Sequence, residues 1–178
     1  MDTQEVERAL RADCNLATIF EGVFPSDCIP NFCDSKMALV ANFDERSRPG
    51  SHWIAMYIEN GHCEYFDSYG RPPNIGHFIN FIKRNSKTYS FNKDDLQALD
   101  SDVCGYYSIW FLSERARGKS MNQIVADFSG DHDANDLKVK AQVESRFKDI
   151  VTHLLDGHGN SHCAVGRYHQ CCAKRRNR

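Results

Sequence analysis

The fold is decided by the stretch His52-Trp-Ile-Ala-Met-Tyr-Ile-Glu-Asn-Gly-His-Cys-Glu-Tyr-Phe-Asp67. Two strand-like runs, 53–58 and 63–67, flank the dipeptide Asn60-Gly61. That dipeptide favours a two-residue hairpin turn because both of its positions tolerate a positive φ. The first run is apolar on both faces, which predicts that the hairpin lies inside a covered sheet.

The register of this hairpin places a histidine beside an acid. A two-residue turn puts Asp67 opposite Ile54, and His52 lies two positions further on the same face. His52 and Asp67 are therefore predicted to be diagonal neighbours, about 7–8 Å apart at the backbone. A carboxylate there can fix the imidazole tautomer and stabilise the imidazolium. Taken alone, the pair is better explained as a chance strand start and ordinary turn chemistry.

Cys104 stands where polar residues stop and an apolar run begins. The run 104–117 predicts a helix that ends at Gly118, a residue suited to the position after a helix. A thiol at a helix N-terminus meets the positive end of the dipole and unpaired N–H groups, which favour the thiolate. Gly105 is expected to leave room for a substrate backbone. The alternative is a buried structural cysteine that caps a core helix.

Gln97 precedes Cys104 in a polar stretch of the chain. Its side-chain amide and the backbone N–H of Cys104 are predicted to face one developing oxyanion. Such donor pairs stabilise the transition states of acyl transfer. Taken alone, a glutamine in a polar loop is more simply a surface residue, so this assignment depends on the other three positions.

The rest of the chain alternates helix and strand patterns. The predicted helices are 4–11, 75–84, 120–128 and 137–156, the further strands are 37–42 and 88–91, and the loops are 24–33 and 131–135. A mixed sheet with helices before, between and after its strands indicates an α+β fold. We predict one domain over residues 1–156, followed by a Cys/His-rich and basic tail over residues 157–178.

Composition limits the class of protein. Hydrophobic residues make up 41% and charged residues 26% of the 178 residues, which excludes a disordered chain. A net charge of -2 excludes a polyanion binder for the chain as a whole.

No apolar run is long enough to span a membrane, and no signal peptide is visible, so we expect an intracellular, reducing location. There the thiols outside the site and the tail are expected to be structural: Cys14, Cys28, Cys33 and Cys63.

The tail carries two patterns of its own. One is a set of metal-binding residue types: His158, His162, Cys163, His169, Cys171 and Cys172. Their spacing matches standard zinc sites poorly, so an incidentally Cys/His-rich tail is the preferred interpretation over a zinc site. The other is the basic cluster Lys174-Arg-Arg-Asn-Arg178, which suits nuclear import or phosphate contact, or simply solubilises the end. A few cations would add salt-sensitive, sequence-independent affinity for DNA.

Four features follow one another in an order that is typical of a known family: His52-Trp53, Phe66-Asp67-Ser-Tyr-Gly70, Gln97 and Cys104-Gly105. With them the sequence resembles the adenovirus maturation proteases over about residues 1–130. It is especially similar to the proteases of Maverick/Polinton elements and related DNA viruses. SUMO-specific proteases share the same order of His, Asp, Gln and Cys, but the local motifs are closer to the viral group.

The resemblance implies an α+β, papain-like or adenain-like fold with Cys104 as nucleophile and His52 as base. It implies Asp67 as the third member and Gln97 as oxyanion donor, with no metal or cofactor required. Adenovirus enzymes carry Glu where this chain has Asp67, and either carboxylate can orient a histidine.

The resemblance also implies a biological setting. The substrates would be viral structural precursors, cleaved at small, Gly-containing sites during virion maturation in the host nucleus and virion. DNA or a viral peptide would stimulate the enzyme, the DNA through the basic tail. The alternatives are a SUMO- or ubiquitin-like-specific protease, a zinc- and nucleic-acid-binding module with a structural Cys104, and an inactive protease that assists capsid assembly.

Overall fold

A mixed five-stranded sheet carries helices on both of its faces. The structure is a computed structural model that describes residues 1–31 and 35–155, with side chains described as far as residue 148. The strands are β1 (Phe20–Pro25), β2 (Lys36–Asn42), β3 (Trp53–Glu59), β4 (His62–Phe66) and β5 (Thr88–Phe91). The helices are α1 (Thr3–Ala12), α2 (Gly76–Asn85), α3 (Cys104–Ala116), α4 (Met121–Val125) and α5 (His132–Leu155).

The strands lie in the order β1-β2-β3-β4-β5. β1 runs parallel to β2 and β4 runs parallel to β5, whereas β3 is antiparallel to both of its neighbours. The β3–β4 hairpin has the predicted register, with Glu59 paired to His62 and Ala55 to Phe66. Asn60 and Gly61 both have the positive φ that the turn requires. The predicted α+β fold with a mixed sheet is therefore confirmed.

Two apolar cores cover the two faces of the sheet. Alternate residues of β2 point to opposite faces, as a pleated strand requires. Ala38 and Val40 join the core under α1, α3, α4 and α5, whereas Met37, Leu39 and Ala41 join the core under α2. Because β2 and β3 are buried on both faces, the β3–β4 hairpin is held inside the molecule, as its apolar sequence predicts.

The N-terminal strand was not expected. Residues 24–33 were predicted to be a loop, but β1 extends through Pro25 and pairs with β2. Gly22, with φ +143°, shifts the register of β1 against β2, and proline ends the strand. An edge strand interrupted in this way has no clean alternation, so its sequence does not reveal it.

The predicted start of α4 is confirmed, whereas its predicted end and the predicted start of α5 are wrong. Ser120 and Gln123 form the predicted capping box, although α4 ends at Val125 rather than 128. The predicted loop 131–135 is wrong, because α5 already begins at His132. Asp131 Oδ1 accepts a hydrogen bond from the backbone N–H of Ala134 at 3.0 Å. Asp131 thus caps the helix and satisfies one of its unpaired N–H groups.

Several predictions concern residues outside the described ranges. The C-terminal tail, with its Cys/His cluster and its basic cluster, lies there, and so does Cys33. Among the described thiols outside the candidate site, Cys63 is buried, as expected of a structural cysteine, whereas Cys14 is exposed and Cys28 is partly exposed.

Membrane-spanning helices and clusters of metal-binding side chains are both absent from the described part of the chain. Within residues 1–31 and 35–155, no helix is both long and apolar enough to cross a membrane. Over the same residues, no group of three or more His, Cys, Asp or Glu side chains is arranged to hold a metal ion.

Candidate active site

His52 and Asp67 meet at the open end of the β3–β4 hairpin. His52 immediately precedes β3 and Asp67 immediately follows β4, so the hairpin register brings them to one place. His52 Nε2 lies 2.7 Å from Asp67 Oδ1. A carboxylate only accepts hydrogen bonds, so Nε2 carries the proton and the other ring nitrogen, Nδ1, is left for another partner. Asp67 is fully buried and His52 is 9% exposed.

Asp67 is held by bonds to its backbone as well as to its carboxylate. Asn92 Oδ1 accepts from the Asp67 N–H at 2.9 Å, and Asn92 Nδ2 donates to the Asp67 carbonyl at 2.6 Å. The backbone N–H of Tyr69 donates to Asp67 Oδ1 at 2.9 Å. In the sequence, Asn92 is marked only by its position directly after β5, beside the end of the parallel strand β4.

Two aromatic rings enclose the imidazole of His52. Phe43 approaches it edge-on at 4.9 Å between ring centroids. Tyr69 lies on another side at 4.9 Å with an interplanar angle of 33°. These contacts restrict the ring to the orientation that faces Asp67.

Cys104 is the first residue of α3 and is buried. Its thiol lies close enough to the ring of His52 to raise the pKa of the imidazole. Helix α3 is seated on the hairpin by Phe111, whose ring stacks on Phe66 at 4.5 Å. Arg115 further along α3 pairs with Glu64 of β4. The packing of α3 on β3 and β4 therefore joins Cys104, His52 and Asp67 in one row.

Gly105 does not serve the purpose expected of it. A Cβ atom built on Gly105 would lie 3.3 Å from Met1 Sδ, 3.4 Å from Val6 Cγ2 and 3.5 Å from Trp53 Cδ1. That side of α3 is therefore filled by α1 and Trp53, and the expectation that it leaves room for a substrate is wrong. The glycine lets α1 pack closely against the start of α3.

Gln97 is fully buried, which rules out the simpler interpretation as a surface residue. Its Nε2 donates to the carbonyl of Ser101 at 2.9 Å and to the hydroxyl of Ser101 at 3.0 Å. Its Oε1 accepts from the hydroxyl of Ser68 at 2.7 Å. Gln97 is thus connected to the residue after Asp67 and to the loop that leads into Cys104. Neither residue type nor spacing marks either serine in the sequence.

Opposing effects set the pKa of His52. Burial lowers this pKa, whereas the hydrogen bonds with Asp67 and Cys104 and the negative charges of those two groups raise it. The raising effects are larger in sum, and the pKa rises from 6.5 to about 9. At neutral pH the site therefore favours the imidazolium form of His52.

We expect this pKa to appear in the pH dependence of stability. The folded state binds the His52 proton more tightly than the unfolded state does. The resulting stabilisation is complete below pH 6.5 and is lost as pH rises through about 9. In Asp67→Asn the carboxylate charge is gone, so the loss should still begin near pH 6.5 but end at a lower pH and be smaller. Thermal unfolding midpoints measured between pH 6 and 10 check this, and parallel curves for both proteins would contradict it.

The chain is similar to viral proteins both in sequence and in fold. No protein-family model matches the chain. Over 102 residues it is 35% identical to the "Putative thiol protease R355" of Acanthamoeba polyphaga mimivirus, covering 51% of this chain and 33% of that protein. The chain thus spans about a third of the length of this curated relative.

Solved structures match as well. The crystal structure of the ASFV pS273R protease has a TM-score of 0.56 and 15% identity, over 78% of this chain and 65% of that one. Its selenomethionine form gives a TM-score of 0.45 and 21% identity, over 59% of this chain and 43% of that one. The chain is therefore similar in sequence to a viral protein described as a thiol protease, and its α+β fold is that of a solved viral protease.

Proposed function

We propose that this chain is a cysteine peptidase with Cys104 as nucleophile, His52 as general base and Asp67 as the group that orients the histidine. The observation that carries the proposal is the 2.7 Å contact between His52 Nε2 and Asp67 Oδ1, with the Cys104 thiol near enough to the imidazole to raise the pKa of His52. Nucleophile, base and orienting acid within hydrogen-bond reach of one another are the signature of an activated nucleophile. The sequence similarity to a protein described as a thiol protease supports the same activity.

The reaction follows from the geometry. His52 Nδ1 takes the proton of Cys104, and the thiolate attacks the scissile carbonyl carbon to form a tetrahedral intermediate. The amide of Gln97 and the backbone N–H of Cys104, one of the unpaired donors in the first turn of α3, stabilise the oxyanion. The imidazolium then protonates the leaving amine. A water molecule, deprotonated by His52, hydrolyses the thioester and restores the thiol.

The proposed substrates are viral structural precursor proteins, cleaved at small, Gly-containing sites during virion maturation in the host nucleus and virion. Support comes from the resemblance to adenovirus-type proteases and from the two viral proteins to which the chain is similar. Stimulation by DNA or by a viral peptide rests on that resemblance and, for DNA, on the basic cluster Lys174–Arg178, which lies outside the described residues.

A second candidate is a SUMO- or ubiquitin-like-specific peptidase with the same four residues. It is favoured by Asp67, since SUMO-specific proteases carry an aspartate there and adenovirus enzymes carry glutamate. Incubation with a ubiquitin-like fusion that ends in Gly-Gly, next to a viral precursor peptide, separates the two. Cleavage of the fusion alone would exclude the precursor protease.

The peptidase proposal is tested by labelling with a peptide that carries a thiol-reactive electrophile. We expect one adduct, at Cys104, although Cys104 is only 7% exposed and Cys14 is exposed. If solvent exposure alone decided reactivity, Cys14 would react before Cys104. Labelling of Cys104 alone would therefore show that the buried thiol is activated. Peptide mapping by mass spectrometry locates the adduct.

Matched variants make the labelling decisive. Cys104→Ala should lose the adduct, whereas Cys14→Ala should keep it. Labelling of Cys14 in preference to Cys104 would contradict the proposal. Bound zinc in stoichiometric amount, together with an unreactive Cys104, would favour the zinc- and nucleic-acid-binding module instead.

A further inference from the structure

Ser68 makes three hydrogen bonds to the segment that carries Gln97. Its hydroxyl donates to Gln97 Oε1 at 2.7 Å. Its carbonyl accepts from the backbone N–H groups of Leu96 and Gln97 at 2.9 Å and 3.2 Å. Ser68 is 1% exposed and directly follows Asp67. A single buried residue therefore holds both the backbone and the side chain of Gln97, and it is bonded covalently to the acid.

The orientation of the Gln97 amide is determined from its other side. The carbonyl of Ser101 can only accept a hydrogen bond, so the nitrogen of the amide must face it. Oε1 is then directed at Ser68, and the Ser68 hydroxyl is its donor. Without that hydroxyl, Oε1 would lack a partner in a site closed to water. Leaving a buried acceptor unsatisfied is unfavourable, and rotation of the amide would relieve it.

The amide nitrogen of Gln97 is bonded twice to Ser101, once to its carbonyl and once to its hydroxyl. The bond to the hydroxyl is the exchangeable one, because a hydroxyl can turn and accept from another donor. When the hydroxyl turns away, Gln97 Nε2 can donate to an oxyanion in its place, while the Ser101 carbonyl keeps its own bond.

We propose that Ser68 is a positioning residue for oxyanion stabilisation, and that it acts by holding the Gln97 amide with its nitrogen towards the reacting carbonyl. This inference rests on the proposed peptidase function. It connects the residue after Asp67 with the oxyanion donor, so the acid and the donor move as one unit. Ser68 is almost completely buried and is bonded to Gln97, so its effect reaches the reaction through Gln97.

The test separates oxyanion stabilisation from activation of the thiol. A peptide aldehyde adds the Cys104 sulfur to its carbonyl carbon, and the resulting hemithioacetal oxygen occupies the oxyanion position. Iodoacetamide alkylates the same sulfur with loss of iodide and forms no oxyanion. In Ser68→Ala we expect about 10-fold lower kcat on a fluorogenic Gly-Gly peptide and about 10-fold weaker aldehyde binding. These are fractions of the 10²–10³ cost of deleting an oxyanion donor itself.

Alkylation by iodoacetamide and KM should remain at the wild-type values in Ser68→Ala. Ser113→Ala is the matched control, since Ser113 is also a fully buried serine and its hydroxyl has no hydrogen-bond partner among the described residues. It should leave all four readouts unchanged. Ser68→Cys, which keeps the size and a weak S–H donor, should fall between wild type and alanine and replaces alanine if that variant does not fold.

Two results would overturn the inference. Unchanged kcat and aldehyde affinity in Ser68→Ala would show that the hydroxyl does not position Gln97. Equal losses in kcat and in alkylation would show a general structural role. A wild-type protein that neither hydrolyses the peptide nor binds the aldehyde would instead refute the peptidase function, and the inference with it.

Discussion

Replacement of Cys104 by serine should lower kcat for peptide hydrolysis by about 10⁶-fold, the scale seen when the nucleophile of a catalytic triad is removed. A hydroxyl is far less acidic than a thiol, so the imidazole of His52 cannot hold it as an anion at neutral pH. The exchange is nearly isosteric, and serine is well accepted in the first turn of a helix. The thermal unfolding midpoint should therefore stay close to that of the wild type.

The control for this variant is Cys14→Ser, which makes the same chemical change at an exposed thiol. We expect it to retain full activity. Stopped assays with a fluorogenic peptide measure both variants under identical conditions. A kcat of Cys104→Ser within about 10-fold of the wild-type value would show that Cys104 is not the nucleophile, because loss of a nucleophile has a far larger effect.

The second large effect is expected at His52. In His52→Ala the base is lost, the thiol keeps its proton, and the leaving amine has no acid to protonate it. Removal of the histidine from a triad has costs of about 10⁶-fold in kcat, and we expect at least about 10⁴-fold here. The rate of iodoacetamide alkylation at pH 7 should fall as well, because less of the sulfur is thiolate.

His62→Ala is the matched histidine control. His62 belongs to the same hairpin and bonds the hydroxyls of Thr88 and Ser90 at 2.8 Å and 2.9 Å. Its loss should weaken the contact between β4 and β5 and lower the unfolding midpoint, with kcat retained for the folded protein. Equal losses of kcat in the two variants would show that His52 acts through stability, and the proposed base would have to be abandoned.

The histidine and the acid could be predicted together because their relation is local. The Asn60-Gly61 turn sets the pairing of β3 with β4, and a two-residue period then places His52 and Asp67 on one face. The start of α3 at Cys104 was equally visible, since polar residues give way there to an apolar run. For these elements the information lies within a few residues of the position that it specifies.

Predictions were weaker where one residue type has several uses. Gly105 was expected to face a substrate, and it instead packs against α1, because nothing in the chain near residue 105 shows which element covers the glycine. The loop 131–135 was predicted from its polar residues. Such residues also cap helices, and Asp131 does so at the start of α5.

Local sequence was sufficient for the α+β class, the hairpin register and the separate positions of the candidate nucleophile, base and acid. It could not show how Asn92 holds Asp67 or how Ser68 and Ser101 hold Gln97, because these contacts depend on tertiary packing. Asn92 and Ser68 bond partners 25 and 29 positions away along the chain. Contacts of that separation arise from the packing of β5 and the loop before α3 against the hairpin. A serine or asparagine in a polar stretch carries no local pattern that reports such packing.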